Sequence, residues 1–204
     1  MVSLLLASGS PRRRELLESF DMAVSVERPG IEERRLPSED AASYALRNAK
    51  LKAQHVFSSH EKSPSHDCIL AADTIVVVDG DVLEKPCDKE HARSMLGRLS
   101  GREHQVVTAY CLMGLLVKPG EVFTEAVTTN VVFKKLSQKE IEAYVASPEP
   151  YDKAGGYGVQ ALGAYLVEKI TGSYTNVVGL PLTQVMRAMQ SRFSLEVVVK
   201  SKQG

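Results

Sequence analysis

The sequence predicts a mixed α/β fold, in which helices flank a twisted sheet of mixed strand direction and two lobes surround a cleft. Hydrophobic residues make up 44% and charged residues 25% of the 204 residues, which is typical of a globular protein with a sizeable core. Apolar β-branched runs alternate with segments of helical periodicity, and hairpin signals join several of these runs, which excludes a purely parallel sheet. The length predicts about one or two domains, and the chain has no internal repeat, heptad pattern or low-complexity tract.

Apolar periodicity predicts the order of the elements. Strands are expected at residues 4–7, 23–26, 69–78, 82–83, 105–117, 121–133, 164–170 and 195–199. Helices are expected to begin at Pro11, at 37–40, at Asp88, at Ser137 and at Pro181. The third helix should end near Leu99 and the fourth before Pro148, and a glycine-rich loop at 154–163 precedes the seventh strand.

Short motifs mark several ends of these elements. Ser10 followed by Pro11 is typical of a helix N-cap and first helical position. The pair Asp79-Gly80 is favoured in two-residue hairpins, and Ser137 with a glutamate three residues later forms a capping box. The element ends that these motifs predict agree with the ends that the apolar pattern predicts.

Charge and cysteine content narrow the function classes. Lys plus Arg and Asp plus Glu both number 25, so the zero net charge gives no general attraction to nucleic acid or to an anionic membrane. Cys68, Cys87 and Cys111 are far apart with no CxxC pair, which argues against zinc and disulfide frameworks and fits a reducing compartment. No apolar run approaches the length of a membrane span or a signal peptide. We therefore expect a cytoplasmic protein with neither a nucleic-acid nor a membrane partner.

The first candidate site is the segment SGSPRRR, where a strand ends and a helix begins. Backbone N–H groups at a helix N-terminus suit an anion, and Ser8 and Ser10 add hydroxyl donors. The guanidinium groups of Arg12 and Arg13 fit phosphate oxygens, although the pattern of a P-loop is absent. A capped helix with a solvated arginine run explains the same residues, so this segment alone leaves both interpretations open.

The second candidate is Asp73, a carboxylate inside an apolar strand. Burying a carboxylate is unfavourable unless it is paired, bound to metal or open to a cleft, so Asp73 is either a structural acceptor or an acid–base group. Lys85 follows the hairpin and would return a cation to the same end of the sheet, although taken alone it is more typical of a surface lysine. Glu33 lies in a polar loop and Lys52 flanks the buried face of the long helix, and each alone is equally typical of a surface residue.

The glycine-rich segment DKAGGYGVQ is the last candidate. Three glycines in four residues suit a loop pressed against a ligand, and Gln160 offers both a donor and an acceptor to the edge of a base. A plain loop before a strand is the alternative. The five histidines show no metal-ligand spacing and are expected to be surface or packing residues.

Taken in order, several segments of the chain closely resemble the Maf family of nucleotide pyrophosphatases, also named for an association with septum formation. These segments are LASGSPRR, the Glu33 loop, Lys52-Ala53, AADT, LEKP, LSGREHQVVTA, DKAGGYGVQ and VVGLP. They run from about Leu4 to the final helix and are jointly specific, so the resemblance implies that residues 1–204 form a single domain. The resemblance implies an α/β fold like that of the inosine-triphosphate pyrophosphatases, with two lobes around a cleft and, in many members, a homodimer.

The resemblance also implies a reaction: hydrolysis of a nucleoside triphosphate to the monophosphate and pyrophosphate, with a divalent metal, Mg²⁺ or Mn²⁺. Asp73 aligns with the proton acceptor of the family. The charged and polar lining of the cleft aligns with Ser8, Arg12, Arg13, Glu33, Lys52 and Lys85. Glu33 and Asp73 together would hold the metal through oxygen ligands. Whether Asp73 acts as base, as metal ligand or as both stays open at this point.

Three positions distinguish branches within the family. The branch that acts on dTTP and UTP carries Arg, Thr and Gln, which match Arg12, Thr74 and Gln160. The branch that acts on methylated GTP differs there and is the alternative. Ala161 departs from the glycine that commonly follows the glutamine, and its methyl group is expected to affect base preference and not the chemistry.

A non-catalytic module that senses nucleotides in cell division is the alternative from another class. Such a module would need the cationic and base-reading groups but not Asp73. This chain retains the whole set of acidic and basic positions, Asp73 included, which favours the enzyme over the sensor.

Overall fold

The computed structural model describes residues 1–200. The strands are β1 (Val2–Ala7), β2 (Met22–Glu27), β3 (Cys68–Val78), β4 (Asp81–Leu83), β5 (Glu103–Gly114), β6 (Val122–Phe133) and β7 (Val167–Thr171). The helices are α1 (Pro11–Leu17), α2 (Ala41–His60), α3 (Lys89–Leu99), α4 (Gln138–Val145), α5 (Tyr174–Val178) and α6 (Leu182–Phe193). Between α4 and β7 lie three 3₁₀ turns, at Glu149–Asp152, Ala154–Gly156 and Ala161–Leu166.

The seven strands form one mixed sheet in the order β2-β1-β3-β5-β6-β7, with β4 paired to β3. β1 is parallel to β2 and to β3, whereas β4 on β3 and β7 on β6 are antiparallel. Parallel neighbours need a crossover, which α1 and α2 provide, and the antiparallel pair β3–β4 is a tight hairpin. The predicted class, a mixed sheet with flanking helices, is confirmed.

The described residues divide into two compact units. The first contains Met1–Asp73, Ala109–Ala126 and the residues from Gly179 onward, and the second contains Thr74–Thr108 and Val127–Val178. Strands β3, β5 and β6 each contribute residues to both units, and in β3 the division falls directly after Asp73. The prediction that the whole chain is a single domain stays a prediction.

In the core of the first unit, α6 packs against one face of the sheet. Alternate strand residues share this core, namely Leu4 and Leu6 from β1, Cys68, Leu70 and Ala72 from β3, and Tyr110 and Leu112 from β5. Helix α6 contributes residues at helical spacing, namely Val185, Ala188, Met189 and Phe193. Because Ala72 points into this core, strand alternation directs the side chain of Asp73 to the opposite face, where it meets α2.

Local motifs in the second unit behave as predicted. Asp79 and Gly80 both have positive φ, 55° and 80°, as the tight hairpin requires. The Asp88 carboxylate accepts the N–H of His91 at 2.7 Å and so caps α3. The capping box of Ser137 with Glu140 is also present at the start of α4.

An aromatic cluster anchors the glycine-rich loop within the second unit. His104, Phe133 and Tyr157 meet edge to face, with ring centroids 4.6 to 5.4 Å apart. The Nε2 atom of His104 lies 2.6 Å from the Tyr157 hydroxyl, and burial lowers the pKa of His104 to about 4. The interpretation of His104 as a packing residue is confirmed.

The structure differs from these expectations at several elements, and β5 ends at Gly114, three residues before the expected end. Residues 195–199 form no strand: Leu195 packs in the core of the first unit, and Val199 makes only an isolated bridge to Phe20. Residues 164–166 belong to a 3₁₀ turn, so β7 begins at Val167. Helix α5 was not predicted, since five residues are too few to show a helical period.

Candidate active site

Helix α2 brings two polar side chains onto Asp73. Lys52 Nζ lies 2.6 Å from Asp73 Oδ1, and Asn48 Nδ2 donates to Asp73 Oδ2 at 3.1 Å. Lys52 and Asn48 are four residues apart, so they share one face of the helix. All three residues are buried, with exposed fractions of 7% for Lys52, 0% for Asn48 and 5% for Asp73. A single helix therefore holds both oxygens of the Asp73 carboxylate.

A second carboxylate meets the same lysine. Glu33 Oε1 lies 3.0 Å from Lys52 Nζ, so the ammonium group lies between Glu33 and Asp73. The loop that carries Glu33 is tied to α2, because the Tyr44 hydroxyl donates to the Glu33 carbonyl oxygen at 3.4 Å. The Glu33 side chain is 42% exposed, so Glu33 is the carboxylate of this pair that solvent reaches.

The surroundings of Asp73 hold it ionised. Burial, the strongest single influence, raises the pKa of Asp73, but Lys52, Asn48 and Arg13 together outweigh it and keep the pKa below its usual value. A carboxylate of low pKa is a weak general base at neutral pH. It is nevertheless a good acceptor for a hydrogen bond from water and a good oxygen ligand for a hard cation.

Arg13 and Ser8 form a buried pair where β1 ends and α1 begins. Arg13 Nη1 donates to Ser8 Oγ at 2.9 Å, and Arg13 Nε donates to the Gly179 carbonyl oxygen at 2.8 Å. Ser8 Oγ also accepts the N–H of Ser10 at 3.2 Å, whereas Ser10 itself makes no side-chain cap. Burial lowers the pKa of Arg13, and the charge of Asp73 opposes this shift. Arg13 therefore ties α1 to the segment before α6, and the neighbouring Arg12 is half-buried.

Three of the predicted site residues belong to the second unit. The Thr74 hydroxyl lies 2.9 Å from Thr108 Oγ1. Val76 pairs with Leu83 in the β3–β4 hairpin, and Lys85 lies two residues after the end of β4. Lys85 is exposed, and Gln160 is half-buried directly before a 3₁₀ turn.

Packing inside the second unit explains the glycines of the loop. A Cβ atom on Gly155, whose φ is +68°, would lie 2.9 Å from the Val76 side chain. A Cβ atom on Gly163 would lie 1.9 Å from the Gly158 carbonyl oxygen. These close approaches are to the protein itself, so the glycine content alone does not indicate a ligand. Ala161 has a φ of 50°, a left-handed conformation that suits glycine better than alanine.

Three buried polar residues near the predicted ones escaped sequence analysis. Asn48 interrupts a run of buried alanines four residues before Lys52, and that spacing is the signal that identifies it. Thr108 lies within the apolar run of β5, and Asn176 lies in α5, so neither has a local pattern that sets it apart.

No group of three or more His, Cys, Asp or Glu side chains within residues 1–200 is arranged to hold a metal ion. In the same part of the chain, no helix is both long and apolar enough to span a membrane.

Comparison with known proteins identifies the family. The family model described as Maf-like protein matches residues 3–192. A dTTP/UTP pyrophosphatase of Pectobacterium atrosepticum is 49% identical over 184 residues, which are 90% of this chain and 90% of that protein. A dTTP/UTP pyrophosphatase of Escherichia coli K12 is 47% identical over 191 residues, which are 94% and 93% of the two chains. The solved structure of the Staphylococcus aureus Ham1 protein matches 81% of this chain and 79% of the Ham1 chain, with 16% sequence identity. The TM-score is 0.45, which is too low to assign a fold. Because the family model and the relatives span nearly its whole length, the chain belongs to the Maf family.

Proposed function

We propose that this protein hydrolyses nucleoside triphosphates, dTTP and UTP above all, to the monophosphate and pyrophosphate. The observation that carries the proposal is the buried Lys52–Asp73 pair with Glu33 on the same ammonium group. This cluster lies in a chain that is 47% and 49% identical to dTTP/UTP pyrophosphatases. It offers carboxylates for water and a cation, and cations for phosphate oxygens, in a chain of zero net charge.

Glu33 and Asp73 are the residues that would hold Mg²⁺ or Mn²⁺. Their hard carboxylate oxygens fit these ions, which usually take one or two carboxylates and complete their shell with water and substrate phosphates. The ammonium group of Lys52 neutralises the same two carboxylates, so Lys52 and a divalent cation compete for them. When bound, the metal supplies charge neutralisation and polarises a phosphoryl oxygen.

Asp73 would orient the attacking water. Since Lys52 and Asn48 hold its two oxygens, the carboxylate does not have to reorganise when it accepts a hydrogen bond from that water. The water oxygen adds to the α-phosphorus, the bond to the bridging oxygen breaks, and pyrophosphate leaves. Asp73 then stabilises or accepts the proton that the water releases.

The remaining predicted residues would bind the triphosphate and the base. Ser8, Arg12, Arg13 and Lys85 supply donors and positive charge for phosphate oxygens. Thr74 and Gln160, with Arg12, would read the base. A homodimer and a cytoplasmic location stay predictions.

A triphosphate panel tests this proposal. Purified protein with Mg²⁺ or Mn²⁺ is given dTTP, UTP, CTP and methylated GTP, and pyrophosphate release is measured. We expect the highest kcat/KM for dTTP and UTP. A preference for methylated GTP would assign the other branch of the family, and nucleotide binding without pyrophosphate release would favour the non-catalytic sensor.

A further inference from the structure

The hydroxyl group of Thr74 begins a chain of hydrogen bonds inside the second unit. Thr74 Oγ1 lies 2.9 Å from Thr108 Oγ1, which in turn lies 2.9 Å from the backbone carbonyl oxygen of Asn176. Thr108 and Asn176 are both 0% exposed, so bulk water does not compete for the inner bond.

The inner end of this chain fixes its direction. A carbonyl oxygen only accepts, so the single hydroxyl proton of Thr108 goes to Asn176. Thr108 then has only lone pairs to offer Thr74, and Thr74 must donate to it. The opposite direction would deprive a buried carbonyl of its donor and place two oxygen lone pairs against each other at 2.9 Å.

The carbonyl group that ends the chain is itself held in place. Asn176 Nδ2 donates to the Val106 carbonyl oxygen at 3.1 Å and to Thr129 Oγ1 at 3.0 Å. The Asn176 N–H donates to Ser173 Oγ at 3.2 Å. Asn176 is therefore fixed on several sides, and its carbonyl group is a rigid acceptor for Thr108.

We infer that Thr108 determines base selectivity by fixing the Thr74 hydroxyl as a hydrogen-bond acceptor toward the substrate. This inference rests on the proposed function, in which Thr74 faces the base. The proton of Thr74 is committed to Thr108, so a further hydrogen bond by this hydroxyl is one that it accepts. The nucleotide must therefore present an N–H group to Thr74.

The pyrimidine bases differ in that respect. Uracil and thymine carry one donor on their polar edge, N3–H, between two carbonyl oxygens. Cytosine has an unprotonated N3 at the same place, and its lone pair would face the lone pairs of Thr74. Because the N–H donors of cytosine are on N4, this discrimination requires Thr74 at N3, where the inference places it; there the Thr74 hydroxyl would favour UTP and dTTP over CTP. Thr108 touches no substrate in this scheme and is a positioning residue.

The test compares kcat/KM for UTP and CTP in the wild type, Thr108→Val and Thr108→Ser. Valine keeps the shape of threonine but removes the hydroxyl that accepts the Thr74 proton, so Thr108 no longer fixes the direction of the Thr74 hydroxyl. We expect the UTP to CTP ratio to fall about tenfold in Thr108→Val and to be restored in Thr108→Ser. A folded Thr108→Val protein with an unchanged or increased ratio would overturn the inference.

A second measurement applies if Thr108→Val does not fold. N3-methyl-UTP keeps both carbonyl oxygens of UTP but has no N3–H. The wild type should prefer UTP over N3-methyl-UTP, and Thr74→Val should reduce that preference because the acceptor is gone. The bulk of the methyl group is the same in both comparisons, so an equal preference in the two proteins overturns the inference.

The outcomes separate this inference from the proposed function. A wild type that releases no pyrophosphate from UTP overturns both. A wild type that hydrolyses UTP, with ratios that do not respond to Thr108 or Thr74, overturns the inference alone.

Discussion

Asp73 and Thr74 are adjacent in β3, yet their side chains belong to two different kinds of buried polar network. Asp73 joins a charged network in the first unit, with Lys52 at 2.6 Å and Glu33 on the same ammonium group. Thr74 joins a neutral network in the second unit, with hydroxyl and carbonyl partners at 2.9 Å.

The two networks control different properties of a site. Opposite charges determine whether a carboxylate is ionised and how it attracts cations, and those effects act over several ångströms. In a chain of hydroxyl groups that ends on a carbonyl oxygen, the carbonyl can only accept, and this fixes which hydroxyl donates to which. Substitutions in the charged network should therefore change rate and stability, whereas substitutions in the neutral network should change the ratio between substrates.

The largest expected effect on the charged network is that of Asp73→Asn. The amide keeps the shape of the carboxylate but neither attracts a cation nor accepts a proton, so kcat should fall about 100-fold or more. Nucleotide binding should be largely retained. Single-turnover pyrophosphate release from UTP and a separate binding titration measure the two effects.

Asp79→Asn is the matched control, because Asp79 is an exposed carboxylate paired with Arg102 in the hairpin turn. It should keep wild-type activity. An Asp73→Asn protein as active as this control would remove Asp73 from the mechanism.

The second comparison is between Lys52 and Lys85, which are both predicted to bind the substrate but differ in burial. Lys52→Met removes the partner of a buried carboxylate and should lower the free energy of unfolding by about 3 kcal/mol or more. Lys85→Met removes an exposed cation and should change the free energy of unfolding by less than about 0.5 kcal/mol. Both variants should hydrolyse UTP less efficiently.

Urea unfolding at neutral pH and pyrophosphate assays on the same samples check this. A Lys52→Met protein as stable as the wild type would mean that the pair adds nothing to folding. Wild-type kinetics in Lys85→Met would exclude Lys85 from the site.

Much of the fold follows from local patterns. The long helix, the β3–β4 hairpin and the capping box were predicted because each has a period or a motif within a few residues. Helix α5 was not predicted, because five helical residues contain no repeat to detect. A strand at 195–199 was wrongly predicted, because its apolar β-branched residues are typical of a strand, whereas Val199 makes only an isolated bridge to Phe20.

The candidate site was predictable only in part. Asp73 stands out because a carboxylate in an apolar strand needs a partner. Its partner Lys52 lies 21 residues away, and the contacts of Thr108 with Thr74 and Asn176 span 34 and 68 residues. Threonine and asparagine are common residues, and only the folded chain shows which hydroxyl must donate.

The smallest expected effect is that of Asn48→Leu, which removes a neutral side chain that donates to Asp73. Asn48 Nδ2 donates to Asp73 Oδ2 at 3.1 Å, whereas Asn48 Oδ1 is buried with no hydrogen-bond partner among residues 1–200. Losing the hydrogen bond to a carboxylate costs about 1.5–3 kcal/mol, and removing an unpaired buried oxygen regains about 1–3 kcal/mol. The two nearly cancel, so the free energy of unfolding should change by less than about 1 kcal/mol.

The pH profile of Asn48→Leu should nevertheless differ from that of the wild type. The hydrogen bond from Asn48 is one of the influences that lower the pKa of Asp73, so without it that pKa rises. Because activity needs the ionised carboxylate, the acidic limb of kcat/KM for UTP should move to higher pH. The UTP to CTP ratio at neutral pH should stay the same, since Asn48 donates to Asp73, whereas the direction of the Thr74 hydroxyl is set by Thr108. An acidic limb at the wild-type pH would show that Asn48 does not act on Asp73, and a changed ratio would show that the charged and neutral networks are not separate.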